Sequence, residues 1–327
     1  MRIDVHSHFQ SLVYVKHLRG RGEPPRAVLD GGTYVIQCAA GVSVPALRSM
    51  LDMEQKLADM DVLGVDLAVL SHGIPLGPDA LGGSEADEWA SRINDDLARI
   101  IAEHPGRFVG LGTVGFGDTE RSIAEVNRCI QQLGFKGVQV FSNVAGQPLD
   151  SPRVLPVLKH IGSLGVPIHL HPAVPLNRVA VDSASLALAL GFPFDTSLNV
   201  VRLIRSGLFD EMPDTRLIVA HAGGVIPYLR SRIATYHTPS ALVLDGPDLR
   251  HPIEHYLDNL YVDTVSYDAA VLDFCYRSLG AARMLYATDH PFGAYGVAAG
   301  LLEQVPCSAA ERDLVYHGNA ERLFHLA

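Results

Sequence analysis

Eight short runs rich in β-branched and other apolar residues recur along the chain, at 3–8 (IDVHSH), 66–71 (DLAVLS), 108–113 (FVGLGT), 136–141 (KGVQVF), 166–171 (VPIHLH), 216–221 (RLIVAH), 260–266 (LYVDTVS) and 284–289 (MLYATD). Segments with helical spacing of apolar residues separate or follow them. Met53, Leu57, Met60 and Leu63 share one side of 52–63, and Trp89, Ile93, Leu97, Ile100 and Ile101 mark 85–102. Further helices are expected at 119–133, 152–164, 180–207, 225–237, 268–280 and 308–324. Strand and crossover helix repeated in this order predict a parallel sheet. Eight repeats favour a closed TIM-like (β/α)8 barrel, class α/β, over a doubly wound sheet. No low-complexity linker interrupts residues 1–327, so a single domain is expected.

Two stretches exceed what a minimal barrel needs. Residues 9–50 carry Gly20, Gly22, Pro24, Pro25, Gly31, Gly32, Gly41 and Pro45, which predicts an excursion over the barrel mouth. Residues 172–199, with Pro172, Pro175 and Pro193, form a second insertion. Both follow strand ends, where barrel enzymes carry their chemistry.

Composition narrows the partners. A formal net charge of −10 disfavours binding to nucleic acid or an anionic membrane surface. Cys38, Cys129, Cys275 and Cys307 make no CxxC pair, so neither a thiolate metal site nor a disulfide framework is expected; a reducing cytoplasm is the default compartment. No uncharged apolar run of about 20 residues is present, so no membrane span is expected.

Histidines gather at the ends of the predicted strands. In His6-Ser7-His8 the two imidazoles share strand parity and turn to one face, with Asp4 on the same parity as a residue that could orient one of them. His169 and His171 end the fifth strand, His221 the sixth, and Asp289 the eighth. Imidazoles plus a carboxylate suit zinc and also admit iron, manganese or cobalt. The residues alone leave open which of His169, His171 and His221 is the third imidazole ligand. His171 lies nearest the mouth, whereas His221, beside the small residues Ala222-Gly223-Gly224, could bind metal or exchange protons with a substrate. His72, His290, Phe292 and the two insertions are candidate walls of a substrate pocket.

The passages DVHSH (4–8), NDDLA (94–98), RFVGLGTV (107–114), GFKGVQV (134–140), HLHP (169–172), HAGGVIPYLRSR (221–232) and ATDHPFG (287–293) resemble, in order and over nearly the whole chain, the amidohydrolase-related metalloenzymes, most of all the aminocarboxymuconate-semialdehyde decarboxylase group. The resemblance implies His6, His8, His171 and Asp289 as ligands of one divalent ion, zinc first and manganese second. It implies His221 and Asp289 as the acid/base pair. Lys136 lies far from the mouth end of the fourth strand, which argues against a lysine-bridged dinuclear centre. The resemblance also implies a homodimer in which Arg232 reaches the partner's substrate carboxylate. Tyr236, and TYVIQ at 33–37, stand where arginines would be expected, so the clamp for an acidic substrate is depleted. Two chemistries follow: non-oxidative decarboxylation of an aromatic or unsaturated carboxylic acid, and, as the alternative, hydrolysis of a lactone, ester or amide by activated water.

Overall fold

The computed structural model describes residues 1–73, 77–177, 179–237 and 248–326. Eight parallel strands lie side by side in chain order: β1 (Ile3–Phe9), β2 (Leu67–His72), β3 (Phe108–Gly112), β4 (Gly137–Phe141), β5 (Ile168–His171), β6 (Leu217–Val219), β7 (Tyr261–Asp263) and β8 (Met284–Leu285). Every expected strand is present. The ring closes between the last strand and the first through Val5 N–H to Tyr286 O (3.0 Å), Asp289 N–H to His6 O (2.9 Å), His8 N–H to His290 O (2.8 Å) and a parallel bridge between Ser7 and His290.

Ile3, Val5, Val69, Leu111, Ile218 and Leu285 belong to one buried cluster with Leu323 and Phe324. Side chains from five strands can meet only inside the ring, so the interior is a packed core whose lower end is stopped by the C-terminal helix. Each such fully buried Val, Leu or Ile contributes about 1.5–3 kcal/mol. A polar layer rich in histidine lies above it, at the strand ends.

The helices that matter to that layer are α1 (Leu12–Arg19), α2 (Met53–Leu63), α3 (Gly83–Glu103), α4 (Thr119–Gln131), α5 (Leu155–Ser163), α6 (Phe192–Arg205), α7 (Ile226–His237) and α8 (Ala269–Leu279). Local chemistry sets the ends of α2: the Asp52 side chain accepts from Gln55 N–H at 3.2 Å, and Gly64 ends the helix in the left-handed region at φ 68°.

The first insertion is more ordered than its glycines and prolines suggest. After α1 it forms a three-stranded antiparallel sheet, Arg26–Asp30, Thr33–Ala39 and Val42–Ala46, whose first turn is Gly31-Gly32 at φ 52° and 87°. The second insertion rises into a continuous helix over Ala184–Arg205, of which α6 is the latter part. Its 22 residues are long and apolar enough to cross a membrane by length and composition. Asp195 on this helix accepts from Ser142 Oγ (2.6 Å) and Asn143 Nδ2 (2.9 Å), just beyond β4, and from Leu176 N–H (2.9 Å) within the insertion.

Candidate metal centre

β1 delivers two imidazoles to the barrel mouth. Its register against β2 shifts between Asp4 and Ser7, a bulge that re-aims the strand after the apolar residues Ile3 and Val5. His6 Nε2 and His8 Nε2 then lie 3.1 Å apart, and Asp289 Oδ1 is 3.3 Å from the first and 3.1 Å from the second. A divalent ion bonded at about 2.1 Å sets neighbouring ligand atoms about 3.0 Å apart in an octahedron and about 3.4 Å apart in a tetrahedron. The triangle has that edge length, so these residues fit a metal.

His171 joins from the end of β5, its ring centroid 5.1 Å from that of His6 and 4.9 Å from that of His8. His6, His171, His221 and Asp289 each present a ligand atom within 4.8 Å of all the others. His221 approaches the other carboxylate oxygen, with Nε2 3.6 Å from Asp289 Oδ2. One oxygen of Asp289 thus faces His6 and His8 while its second faces His221.

Supporting bonds fix which nitrogen points inward. His6 Nδ1 meets Asp263 Oδ2 at 2.7 Å, and Asp263 is held by Ala222 N–H (2.8 Å) and Val265 N–H (3.0 Å). His171 Nδ1 donates to Pro172 O at 2.8 Å. Both arrangements put the proton on Nδ1 and leave the Nε2 lone pair for a cation. Asp4 does not orient an imidazole: its carboxylate accepts from the backbone N–H groups of His6 and Thr288 (both 3.1 Å) and from Thr288 Oγ1 (2.6 Å), and the orienting carboxylate is Asp263. His169 lies fully buried beside His6, with ring centroids 4.8 Å apart. It forms a second close group with His6 and Asp263, but the 2.7 Å contact between those two is a direct hydrogen bond that leaves no room for an ion.

Electrostatics agree with the geometry. Burial opposes ionisation of Asp289, yet His6, His221 and His8 outweigh it and hold its pKa well below the ordinary carboxylate value. Burial draws His8 down to about 4 and takes His171 well below the usual imidazole value, so both rings are neutral at neutral pH and free to act as ligands. His6 goes the other way: burial disfavours its cation, but Asp289, Asp263 and Asp4 prevail and raise its pKa.

Backbone strain collects beside the His/Asp cluster. His221, Ala222 and Asp289 have φ of 56°, 54° and 62°, a region that side-chain-bearing residues seldom occupy. Gly73 permits a close approach, since a Cβ there would lie 2.2 Å from His8 Cβ.

Two of the proposed pocket walls are corrected. His72 is paired in register with Phe9 rather than His8 and so faces the outside of the barrel, where its Nε2 meets Gln10 Nε2 at 3.1 Å and its ring packs edge-on against Tyr14. His290 is turned away from the mouth: Nδ1 lies 2.8 Å from Lys56 Nζ and Nε2 3.0 Å from Asp59 Oδ2, so neither nitrogen is available to a substrate. Phe292 does stand at the mouth, its ring 5.5 Å from that of His8. Arg232 is exposed on α7 with its guanidinium over the Tyr236 ring at 5.0 Å. Tyr267, unremarked in the sequence, packs its hydroxyl against Gly293, where a Cβ would meet it at 2.3 Å.

A family model described as amidohydrolase matches residues 3–326. The chain belongs to the amidohydrolase family. A γ-resorcylate decarboxylase from Polaromonas sp. is 33% identical over 295 residues, covering 86% of this chain and 90% of the relative. A 2-amino-3-carboxymuconate-6-semialdehyde decarboxylase from Dictyostelium discoideum is 31% identical over 246 residues, covering 74% and 67%. The kinship therefore extends to γ-resorcylate decarboxylases and is not specific to the aminocarboxymuconate-semialdehyde group. Among solved structures, 5-carboxyvanillate decarboxylase from Novosphingobium aromaticivorans, complexed with manganese and 4-hydroxy-3-methoxy-5-nitrobenzoic acid, superposes with a TM-score of 0.85 at 28% identity, covering 100% of this chain and 96% of that one. The expectation of zinc is corrected by these comparisons, because the related decarboxylase structures described with a bound metal carry manganese.

Proposed function

We propose that this amidohydrolase-family enzyme catalyses non-oxidative decarboxylation of an aromatic or unsaturated carboxylic acid, with one manganese ion held by His6, His8, His171 and Asp289. The 3.1–3.3 Å triangle of His6, His8 and Asp289 carries the reading. Kinship with decarboxylases of aromatic acids supports the reaction class. Bound there, the ion supplies Lewis-acid stabilisation for substrate oxygens.

The chain's own groups handle the proton. Protonated His221 gives its proton to the carbon bearing the carboxylate; the C–C bond then breaks, its electron pair returns to the ring or double bond, and CO₂ leaves. Asp289 Oδ2, 3.6 Å away, stabilises the imidazolium beforehand. The His221 side chain is 20% exposed and recovers its proton from solvent, whereas His6 and His8 are sealed. Phe292 beside His8 offers an apolar edge for an aromatic ring. The test is incubation of the manganese-loaded protein with paired panels of hydroxylated aromatic acids and lactones. The expected result is stoichiometric CO₂ with retention of the ring; ring-opened product carrying solvent oxygen and no CO₂ would refute it.

The proposal includes a cytoplasmic homodimer with residues 1–327 as one domain. Leu186, Leu190, Phe194 and Leu198 recur every four residues along the Ala184–Arg205 helix and are exposed, as are Tyr228, Arg232 and Tyr236 on α7. Such an apolar row suits a second copy, which would receive Arg232 beside its substrate. Phe194→Glu is expected to weaken self-association by roughly 30-fold or more while preserving the far-UV spectrum, as measured by light scattering across a dilution series. A wild-type protein that is monomeric at all concentrations excludes this part of the proposal.

A further inference from the structure

Lys56 has no solvent exposure, an uncommon place for an ammonium group. It lies on α2, behind the strands rather than in the pocket. Nζ donates to Ser7 Oγ at 3.0 Å and to His290 Nδ1 at 2.8 Å. Because Nδ1 accepts, His290 carries its proton on Nε2 and donates it to Asp59 Oδ2 at 3.0 Å. Asp59 stands one turn along from Lys56 on the same helix and is itself held by Gln55 Nε2 at 2.9 Å. One helix thus grips two residues, and each has a specific neighbour: Ser7 lies between His6 and His8, and His290 follows Asp289.

These contacts fall on the seam where the barrel closes. β8 pairs with β7 at only Met284 and Leu285, and beyond those residues the chain reaches β1 by the Ser7–His290 bridge and isolated backbone bonds. Asp289 is held there at φ 62°. Across this seam the three atoms of the ligand triangle must keep their spacing, two from β1 and one from the segment after β8.

The geometry points to Lys56, acting through Ser7 and His290 and backed by Asp59, as a positioning residue that sets the spacing of His6, His8 and Asp289 and so the affinity and coordination of the bound cation. The inference rests on the metal-site reading above. A buried amino group bonded to both segments holds them in one relative position; without it, Ser7 Oγ and His290 Nδ1 become buried groups lacking their donor, and the seam relaxes.

The test uses the full-length protein and Mn²⁺ alone, at fixed pH, with free Mn²⁺ read from its six-line electron paramagnetic resonance signal. Lys56→Met keeps an unbranched side chain one atom shorter and removes the donor. It is expected to weaken Mn²⁺ binding by about 10- to 100-fold and alter the spectrum of bound Mn²⁺, while the melting of the metal-free protein shows that the fold persists. Ser7→Ala and Asp59→Asn are expected to weaken binding in the same direction by smaller factors. Excess Mn²⁺ is expected to restore part of the lost kcat in all three with KM little changed. A folded Lys56→Met protein with wild-type affinity and spectrum overturns the inference. If Lys56→Met does not fold, wild-type affinity in both Ser7→Ala and Asp59→Asn overturns it. A wild-type protein that binds no Mn²⁺ overturns the metal-site reading itself, an outcome distinct from variants that match a metal-binding wild type.

Discussion

Replacing His221 with asparagine is expected to lower kcat by about 10²- to 10⁴-fold while leaving the fold and the metal content unchanged. Asparagine is chosen because residue 221 sits at φ 56°, and asparagine tolerates that left-handed backbone better than other polar residues. An alanine variant would confuse lost chemistry with a rearranged loop. The amide cannot protonate carbon, so the loss falls on the chemical step and on kcat rather than on substrate binding. Single-turnover measurement of CO₂ release, alongside metal analysis and the far-UV spectrum, checks it. Turnover at the wild-type rate would remove His221 from the proton-transfer role.

His8→Ala is expected to abolish stable Mn²⁺ binding and reduce activity by about 10³-fold or more. His8 Nε2 is one corner of the triangle, 3.1 Å from both His6 Nε2 and Asp289 Oδ1, and its imidazole is fully buried. Burial draws its pKa to about 4, so the neutral ring offers a lone pair at neutral pH without first releasing a proton. Removing it leaves only two of the three corners, His6 Nε2 and Asp289 Oδ1. Metal content after mild chelation is the measurement, and normal occupancy in the folded variant would eliminate His8 as a ligand. The two variants separate the roles: one loses chemistry with the cation in place, the other loses the cation.

The barrel was legible because its eight strands are short apolar runs separated by segments with helical spacing, and the ligand-bearing residues stand at strand ends where chain order alone suggests convergence. The sheet at Arg26–Ala46 carried a readable signal that the many glycines and prolines obscured: Gly31-Gly32 between β-branched runs is a hairpin turn. Nearness in sequence to strand ends groups His72 and His290 with the pocket, but register decides the face, and His72 pairs with Phe9 rather than His8. Asp263 was reachable by the same reasoning that found Asp289, as a carboxylate ending a barrel strand. Lys56 was not reachable. A lysine on an amphipathic helix reads as solvated, and only the packing of α2 against the β1–β8 seam makes it buried. Arg232 illustrates the remaining gap, since its motif position is plain while its proposed target lies on another copy of the chain.

The left-handed backbone at His221, Ala222 and Asp289 has a consequence for anyone who would redesign this enzyme. A saturation library at positions 221 and 289 is screened first by backbone sterics and only then by reactivity. β-Branched and bulky replacements are disfavoured before any ligand or acid/base property is tested, and the pool narrows towards glycine, asparagine and aspartate. A different coordination sphere is therefore reached by rebuilding the loops that carry these residues together with the side chains, whereas Phe292 and Tyr267 lie outside the left-handed region and can be exchanged one residue at a time without that backbone constraint.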